Sequence, residues 1–406
     1  MGIEIAPGNM TIHIPQYSSR FIVRSPSGIP YCVLRVEGND SVEKIQVYKG
    51  NGVTPTSFAT QDYAHAFTTQ WSGVDSPWNP VAAIDSNGII HIIWQGEAGT
   101  TPYVKYITFN TSTDLFGTVA TVISNTGLQI YSSMDSWCGI AIDSNNIPHI
   151  VYQARVGSSH TNYKTVMYNN RIGGAWNASS TIVRGQPDGL NCFYPTITID
   201  QDNKPFITCG DDSDASYIFH ELIIGNANDA TTFTVYTVGA CWSLAYALGI
   251  DKDGNHYASF DQGSLGGYYG ISFLKHTKGD AWTTWTAAMS GSLGWNSASG
   301  IGMSVDGNDA YFFYQRSSDP NGWNRYKSGS WKGEAYGDGT YGYGRWCKWA
   351  SWVDFDRAGQ NRGLGGANVG GRMEIDCAYE DTSSIWFVSL TLITSSPKTN
   401  VLQMLM

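Results

Sequence analysis

The sequence predicts an all-β protein, a seven-bladed β-propeller of four-stranded blades, from a recurring phrase, the spacing of its copies and the composition around them. The phrase is an apolar run, an Asp, a polar turn, a ring residue and a second apolar run. It reads PVAAIDSNGIIHIIWQ at 80–95, GIAIDSNNIPHIVYQ at 139–153, PTITIDQDNKPFITCG at 195–210, LGIDKDGNHYASFDQ at 248–262 and GMSVDGNDAYFFYQ at 302–315. A weaker copy, IVRSPSGIPYCVLR at 22–35, has Ser25 in the Asp place, and a divergent one, WVDFDRAGQ at 352–360, closes the series. The markers Ser25, Asp85, Asp143, Asp200, Asp251, Asp306 and Asp356 stand 60, 58, 57, 51, 55 and 50 residues apart, a repeat length of stacked or ringed sheets.

Within a copy, apolar and polar residues alternate with period two on either side of a turn rich in Asp, Asn and Gly, which predicts a β-hairpin. A third strand follows, as in YVKYITFN (103–110), YKTVMYNN (163–170), YIFHELIIG (217–225) and YGISFLKH (269–276). A fourth run, such as GTVATVIS (117–124) or TFTVYTV (232–238), precedes the next copy. One such sheet cannot bury both of its faces, and neighbours packed in a ring bury them. The whole chain, 1–406, then forms one domain with blades at 16–70, 71–129, 130–186, 187–240, 241–291, 292–342 and 343–400. The segment RMEIDCAYEDTSSIWFVSLTLI (372–393) supplies the last blade's second and third strands, after which no fourth run follows. The extended run Met10-Thr11-Ile12-His13-Ile14 is expected to join that blade and close the ring, which hides an open edge.

Composition agrees. In 406 residues there are 46 Gly, 15 Trp, 24 Tyr and 15 Phe, while charged residues make up only 14%, against long solvated helices. At 42% hydrophobic the chain can build a large core. The balance of 24 basic against 34 acidic residues, net −10, disfavours nucleic acid or an anionic membrane surface as a partner. No apolar run approaches the ~18 residues of a membrane span. The start, Met1-Gly2-Ile3-Glu4-Ile5-Ala6, lacks the basic and apolar segments of a signal peptide. Seven cysteines without a C-x-x-C pair predict free thiols. These features suit a cytosolic protein or one that reaches the outside without a cleaved signal.

The repeated Asp, Gly and ring residues (Asp85, Gly88, His91; Asp143, Asn146, His149) resemble acid–base pairs, yet a catalytic group is needed once, and these recur. With Phe206, Tyr257 and Tyr311 in the His place, a turn-capping Asp and a packed ring explain them. A second recurrence is more informative. An aromatic precedes each first strand: Trp78, Trp137, Phe193-Tyr194, Trp242, Trp295 and Trp346 with Trp349. In a propeller these handovers share one rim of the channel with the loops QGEAGTTP (95–102), QARVGSSHTN (153–162), GDDSDAS (210–216), DQGSLGGYY (261–269) and QRSSDPNGW (315–323). Rings beside amides, hydroxyls and carboxylates suit sugars, whose C–H faces stack while their hydroxyls bond. The candidate ligand-binding residues are Trp78, Trp137, Tyr194, Trp242, Trp295 and Trp346. The competing reading is that these rings wedge between blades. Cys138, Cys192, Cys241 and Cys347 fall beside them, on four different blades, too far apart to converge on zinc. Asp211, Asp212 and Asp214 lack the spaced Gly and terminal Glu of a calcium loop. No metal, cofactor or catalytic set is therefore assigned.

The seven hairpin repeats resemble the sialidase-like or BNR-like propeller group, which includes glycosidases, polysaccharide lyases and sugar-binding proteins. The resemblance is architectural. The group's Asp-box, Ser/Thr-x-Asp-x-Gly-x-x-Trp, has no complete instance: Ser304-Val305-Asp306 is followed by Gly307-Asn308, and Thr198-Ile199-Asp200 by Gln201-Asp202. Sialidases imply three arginines and a Tyr/Glu pair, and the spacing of Arg155, Arg184, Arg316 and Arg345 marks no such clamp. The opening, 21–58, is similar in style to propeller proteins of tailed-phage virions. The expected function is a virion-associated or extracellular glycan-binding or structural propeller, non-enzymatic. Its partners would be a glycan or cell-surface polysaccharide and other virion proteins, with no membrane insertion. The alternative is a polysaccharide lyase or glycoside hydrolase at the aromatic rim. A hydrolase needs two carboxylates about 5–10 Å apart; a lyase needs a base and an Arg, for which His160, Tyr268, Tyr269, Arg155 and Arg316 are available. An intracellular protein-interaction propeller is disfavoured by the Trp- and Gly-rich rim.

Overall fold

A computed structural model describes residues 3–6, 11–13, 21–37, 43–61, 75–98, 101–124, 128–129, 138–156, 164–185, 191–214, 217–241, 246–262, 270–282, 286–287, 298–306, 309–316, 322–327, 330–331, 343–348, 351–356, 365–368, 374–381 and 384–391. Apart from a single 3-10 turn at Ile172–Gly174, the regular elements among these are antiparallel strands. They form four sheets of four strands, three of five and one hairpin of two. In chain order, the first large sheet holds Ile22–Arg24, Pro30–Glu37, Glu43–Gly50 and Phe58–Gln61, with Thr11–His13 added. The second holds Asp75–Ile84, Ile89–Ala98 and Thr101–Asn110, then Leu115–Phe116 and Ala120–Ser124. The third holds Cys138–Ile142, Pro148–Val156, Lys164–Asn170 and Thr181–Arg184, with Leu128–Gln129 added. The fourth is Cys192–Ile199, Pro205–Asp214, Tyr217–Gly225 and Phe233–Cys241, and the fifth is Tyr246–Ile250, His256–Gln262, Gly270–His276 and Thr286–Ala287. The sixth is Ala298–Asp306, Asp309–Arg316, Gly322–Lys327 and Ser330–Trp331. The seventh takes Gly365–Asn368, Glu374–Asp381, Ser384–Thr391 and the N-terminal Ile3–Ala6.

The first strand of each sheet lies against the first strand of the next, and Gly365–Asn368 lies against both Ala298–Asp306 and Ile22–Arg24. Sequence alternation explains the packing. Along Ile89–Ala98, Ile90, Ile92 and Trp94 face the first sheet's Tyr31, Val33, Ile45 and Val47, while Ile93 faces the third sheet's Ile140, Ile150 and Tyr152. In the third sheet the next residues along, Ala141 and Val151, turn the other way onto Ile197, Ile207 and Ile223 of the fourth. Each buried Val, Ile or Leu contributes about 1.5–3 kcal/mol, so the second, third and fourth sheets each depend on two neighbours.

Two sequence expectations are corrected. The run at 10–14 does not join the last sheet: Thr11, Ile12 and His13 pair with Glu37, Val36 and Arg35. The eight-residue strand Pro30–Glu37 outruns its three-residue partner Ile22–Arg24, and Thr11–His13 satisfies the backbone groups left over. The strand added to the last sheet is Ile3–Ala6, with Ile3 opposite Phe387 and Glu4 opposite Trp386. The divergent copy at 352–360 does not start the seventh sheet either. Ser351–Asp356 pairs with Tyr343–Lys348 in the separate hairpin, and Gly365–Asn368 takes the first-strand place beside Glu374–Asp381.

The hairpin turns share one chemistry. Oδ1 of Asp85 accepts from the backbone N–H of Asn87 (2.9 Å) and Ile89 (2.8 Å), and Asp143, Asp200 and Asp251 repeat the pair of bonds. The turn needs one left-handed residue, supplied by Gly88 (φ 77°), Asn146 (63°), Asn203 (62°) and Gly254 (83°). The second carboxylate oxygen faces the ring residue: Asp85 to His91 at 3.4 Å, Asp143 to His149 at 3.6 Å, Asp251 to the Tyr257 hydroxyl at 2.9 Å. His91 and His149 are further tied to Tyr106 and Tyr168 at 2.7 and 2.6 Å. Burial holds both imidazoles below their ordinary pKa, against the pull of their Asp partners. These are closed structural units, as their recurrence predicts.

Candidate functional site

At the end of the sheets remote from the Asp turns, the first strands are irregular in a repeated way. The register slips by one residue between Trp78 and Val81, between Phe193 and Thr196, and between Ala298 and Ile301, in the second, fourth and sixth sheets. Such a bulge bends a strand and re-aims its side chains. The sequence supplies the cause twice. Pro80 and Pro195 sit inside the first two bulges and have no N–H to give a ladder, so pairing lapses there. An aromatic stands two residues before each Pro, in Trp78-Asn79-Pro80 and Phe193-Tyr194-Pro195.

Beneath the bulges runs a ladder of buried amides. Gln95, opposite Trp78 in the register, donates from Nε2 to the Gln153 carbonyl at 2.8 Å, and Gln153 Oε1 accepts the Tyr194 N–H at 3.2 Å. The ladder thus links the second, third and fourth sheets. Gln95 is fully buried, and its Oε1 has no hydrogen-bond partner among the described residues. Tyr194 has φ 53°, the left-handed region that costs a residue with a Cβ about 1–2 kcal/mol. The bond from Gln153 holds it there. Neither glutamine was a sequence candidate, although the repeated endings IIWQ, IVYQ and FFYQ carry the signal.

Of the six candidate aromatics, Trp78 lies at the first bulge, and Tyr194 lies in the second and is only 6% exposed. Trp346 lies in the separate hairpin opposite Val353, and that hairpin's first strand lies against Gly322–Lys327 of the sixth sheet. Trp137, Trp242 and Trp295 fall outside the described residues, as do the side chains of Trp78 and Trp346. Cys138 and Cys192 are buried free thiols. Burial pushes the Cys138 thiol far up, which keeps it protonated and unfit as a thiolate ligand. Cys241 ends the last strand of the fourth sheet, the sheet that Cys192 begins, so the four cysteines do not mark four separate sheets. Asp211 and Asp214 flank a slip between Pro205–Asp214 and Tyr217–Gly225, with their side chains outside the described residues. Arg316 ends one second strand and Arg155 lies one residue before the end of another, while His160, Tyr268 and Tyr269 fall outside the described residues. Among the described residues no group of three or more His, Cys, Asp or Glu could hold a metal ion, and no helix is long and apolar enough to cross a membrane.

Neither a protein-family model nor a curated protein matches the chain. Solved structures match in fold. The Hadza microbial sialidase Hz136 aligns with TM-score 0.53 and 11% identity over 94% of this chain, which spans 66% of the sialidase chain. The polysaccharide lyase Uly1 aligns with TM-score 0.53 and 11% identity, covering 93% of this chain and 90% of its own. The α-L-arabinanase of Penicillium chrysogenum aligns with TM-score 0.50 and 7% identity, covering 96% and 97%. The likeness to sialidase-like β-propellers, read from the hairpin repeats, holds at the level of fold.

Proposed function

We propose that the chain is one seven-bladed β-propeller, closed by Ile3–Ala6 on the last blade, that binds glycans at its aromatic rim without cleaving them. The contacts of successive first strands, and of Gly365–Asn368 with Ile22–Arg24, support the ring. The observation that supports the binding reading is the recurrent bulge, with Trp78 at its copy in the second sheet and the Phe193-Tyr194 pair at its copy in the fourth, two sheets on. Ring faces presented there by Trp78 and Phe193, with amides close by, would match the C–H faces and hydroxyls of a sugar. One ring per sugar gives weak sites, so binding would rely on several copies acting together. The location proposed with it, on a virion or outside the cell, rests on the style of 21–58 alone, and co-purification with a particle tests it.

A second reading is favoured by one observation: the solved structures of like fold include a sialidase, a polysaccharide lyase and an arabinanase. In that case a base among His160, Tyr268 and Tyr269, with Arg155 or Arg316, acts on a polysaccharide at the same rim. A glycan array followed by reducing-end and unsaturated-product assays separates the two. Retention without turnover supports the binding module. Turnover that is lost when a rim His or Tyr is changed establishes the enzyme.

A further inference from the structure

The seam between the fourth and fifth sheets is filled differently from its counterparts. Five residues after Ser25, Asp85, Asp143 and Asp200, the first four sheets set the apolar residues Pro30, Ile90, Pro148 and Pro205, paired with Arg24, Ile84, Ile142 and Ile199. In the fifth sheet that place, opposite Ile250, is His256. Across from it stands His276, where the second sheet sets Phe109 across from Ile90. Phe116 packs edge-on against Phe109 at 4.9 Å, and Trp282 stacks flat on His276 at 3.9 Å and 10°. The second sheet's apolar pair under an aromatic lid is thus rebuilt in the fifth with two imidazoles.

The cage spans the seam. Phe206 of the fourth sheet lies 4.1 Å from His256, and Trp282 touches Phe206 at 5.2 Å and His256 at 5.0 Å. His256 is 7% exposed, and neither of its ring nitrogens has a hydrogen-bond partner among the described residues. His276 donates from Nε2 to the Asp280 carbonyl at 3.2 Å. Among the described residues the charged groups nearby offer His256 no anion. Lys278 reaches across the seam to Gln201 at 3.2 Å, and the Asp251 carboxylate is already taken by Asn255 and Tyr257. Asp280 faces His276, and the fourth sheet presents the rings of Phe206 and Tyr236, with Lys204 preceding Phe206 in the strand's approach. His91 and His149, by contrast, each face an Asp.

We propose that His256 and His276 form an acid-sensitive latch, whose protonation loosens the packing of the fourth sheet on the fifth. A proton on His256 would sit in an apolar cage beside a second imidazole 5.9 Å away, with Lys278 adding to the repulsion. Burial first, then His276 and Lys278, hold His256 down to about 3 in the folded chain, from an ordinary value of 6.5. The sign follows. Between those two values the unfolded chain binds a proton that the folded chain refuses, so stability falls as pH falls through that window.

The test is thermal unfolding between about pH 7.5 and about pH 4.5 of the full chain and of the double variant His256→Ile, His276→Phe, the pair the second sheet already uses. The native chain should lose melting temperature steeply on acidification, and the variant should lose markedly less, the remainder coming from His91 and His149. Amide exchange at 206–224 and 256–276 should rise in acid before exchange in the second and third sheets does. Equal slopes for both chains overturn the latch. Should the variant fail to fold, imidazole NMR of the native protein decides. A His256 ring that stays neutral until the seam opens supports the latch, and one that titrates near its ordinary value in the intact fold overturns it.

Discussion

Asn146 Oδ1 accepts two hydrogen bonds from Ser86, one from its backbone N–H at 3.0 Å and one from its hydroxyl at 2.9 Å, so the turn of the third sheet is fastened to the turn of the second. The same hand-back recurs one sheet on, where Asn203 Oδ1 accepts from Ser144 N–H at 3.0 Å. Asn does two things at this position: it tolerates the left-handed backbone, and its amide ties neighbouring sheets. Gly88 and Gly254 do only the first.

This separates two variants at one site. Asn146→Gly keeps the backbone free and loses the ties, which should cost about 0.5–1.5 kcal/mol. Asn146→Ala loses the ties and adds left-handed strain, about 1 kcal/mol more. Urea titration should rank native above Gly above Ala. An alanine variant as stable as the glycine one would remove the strain argument.

The Asp turns differ in how much rests on the carboxylate. Asp251, 3% exposed, accepts from Asp253 N–H, Asn255 N–H, Asn255 Nδ2 and the Tyr257 hydroxyl. For Asp200, in a more open turn, the two backbone bonds from Asp202 and Lys204 carry the cap. Asp251→Ala leaves buried donors without an acceptor and should cost about 3 kcal/mol, clearly more than Asp200→Ala. Equal costs would mean that the second oxygen contributes nothing.

Ile3–Ala6 covers the outer edge of Ser384–Thr391, with Ile5 buried. Removing residues 1–8 bares that edge and should lower the melting temperature by several degrees, with greater self-association at high concentration. A truncated chain with an unchanged melting curve would show that the pairing adds no stability.

How far these relationships could be read beforehand varies with the kind of signal. The hairpins were legible because Asp85, Asp143, Asp200 and Asp251 each act locally, through bonds two and four residues along the chain. Period-two alternation likewise marks the strands on either side of each turn. The choice between Ile3–Ala6 and Thr11–His13 was not legible, since both are short alternating runs and only the length mismatch of Pro30–Glu37 with Ile22–Arg24 decides it. Gly365-Gly366-Ala367-Asn368 carries no apolar pattern, whereas WVDFDRAGQ at 352–360 resembles the repeated phrase, so the sequence points to 352–360 for the last copy. The amide ladder was missed for another reason. Gln95 and Gln153 act between sheets, and their repetition was visible while their partners, a carbonyl and the N–H of Tyr194, leave no mark in a sequence.

The glycan reading meets its sharpest test in two tryptophans that the register sets almost side by side. Trp94 lies on Ile89–Ala98, is fully buried and belongs to the core between the first and second sheets. Trp78 lies on the partner strand opposite the next residue, Gln95, where the bulge begins. If bulges serve to aim rings at a ligand, the two should respond to truncation in opposite ways. Trp94→Ala should cost about 3–5 kcal/mol, as a core aromatic does, and reduce glycan retention only as far as it reduces the folded fraction. Trp78→Ala should leave the denaturation midpoint within about 1 kcal/mol of native while abolishing retention on the array. Gln153→Leu supplies the third arm: it strips the acceptor from Tyr194 N–H and should cost about 1–3 kcal/mol, with retention weakened beyond that loss. Trp78→Ala with a core-sized penalty and intact retention would make Trp78 a wedge between sheets, and the rim would then lose its strongest argument as a sugar site.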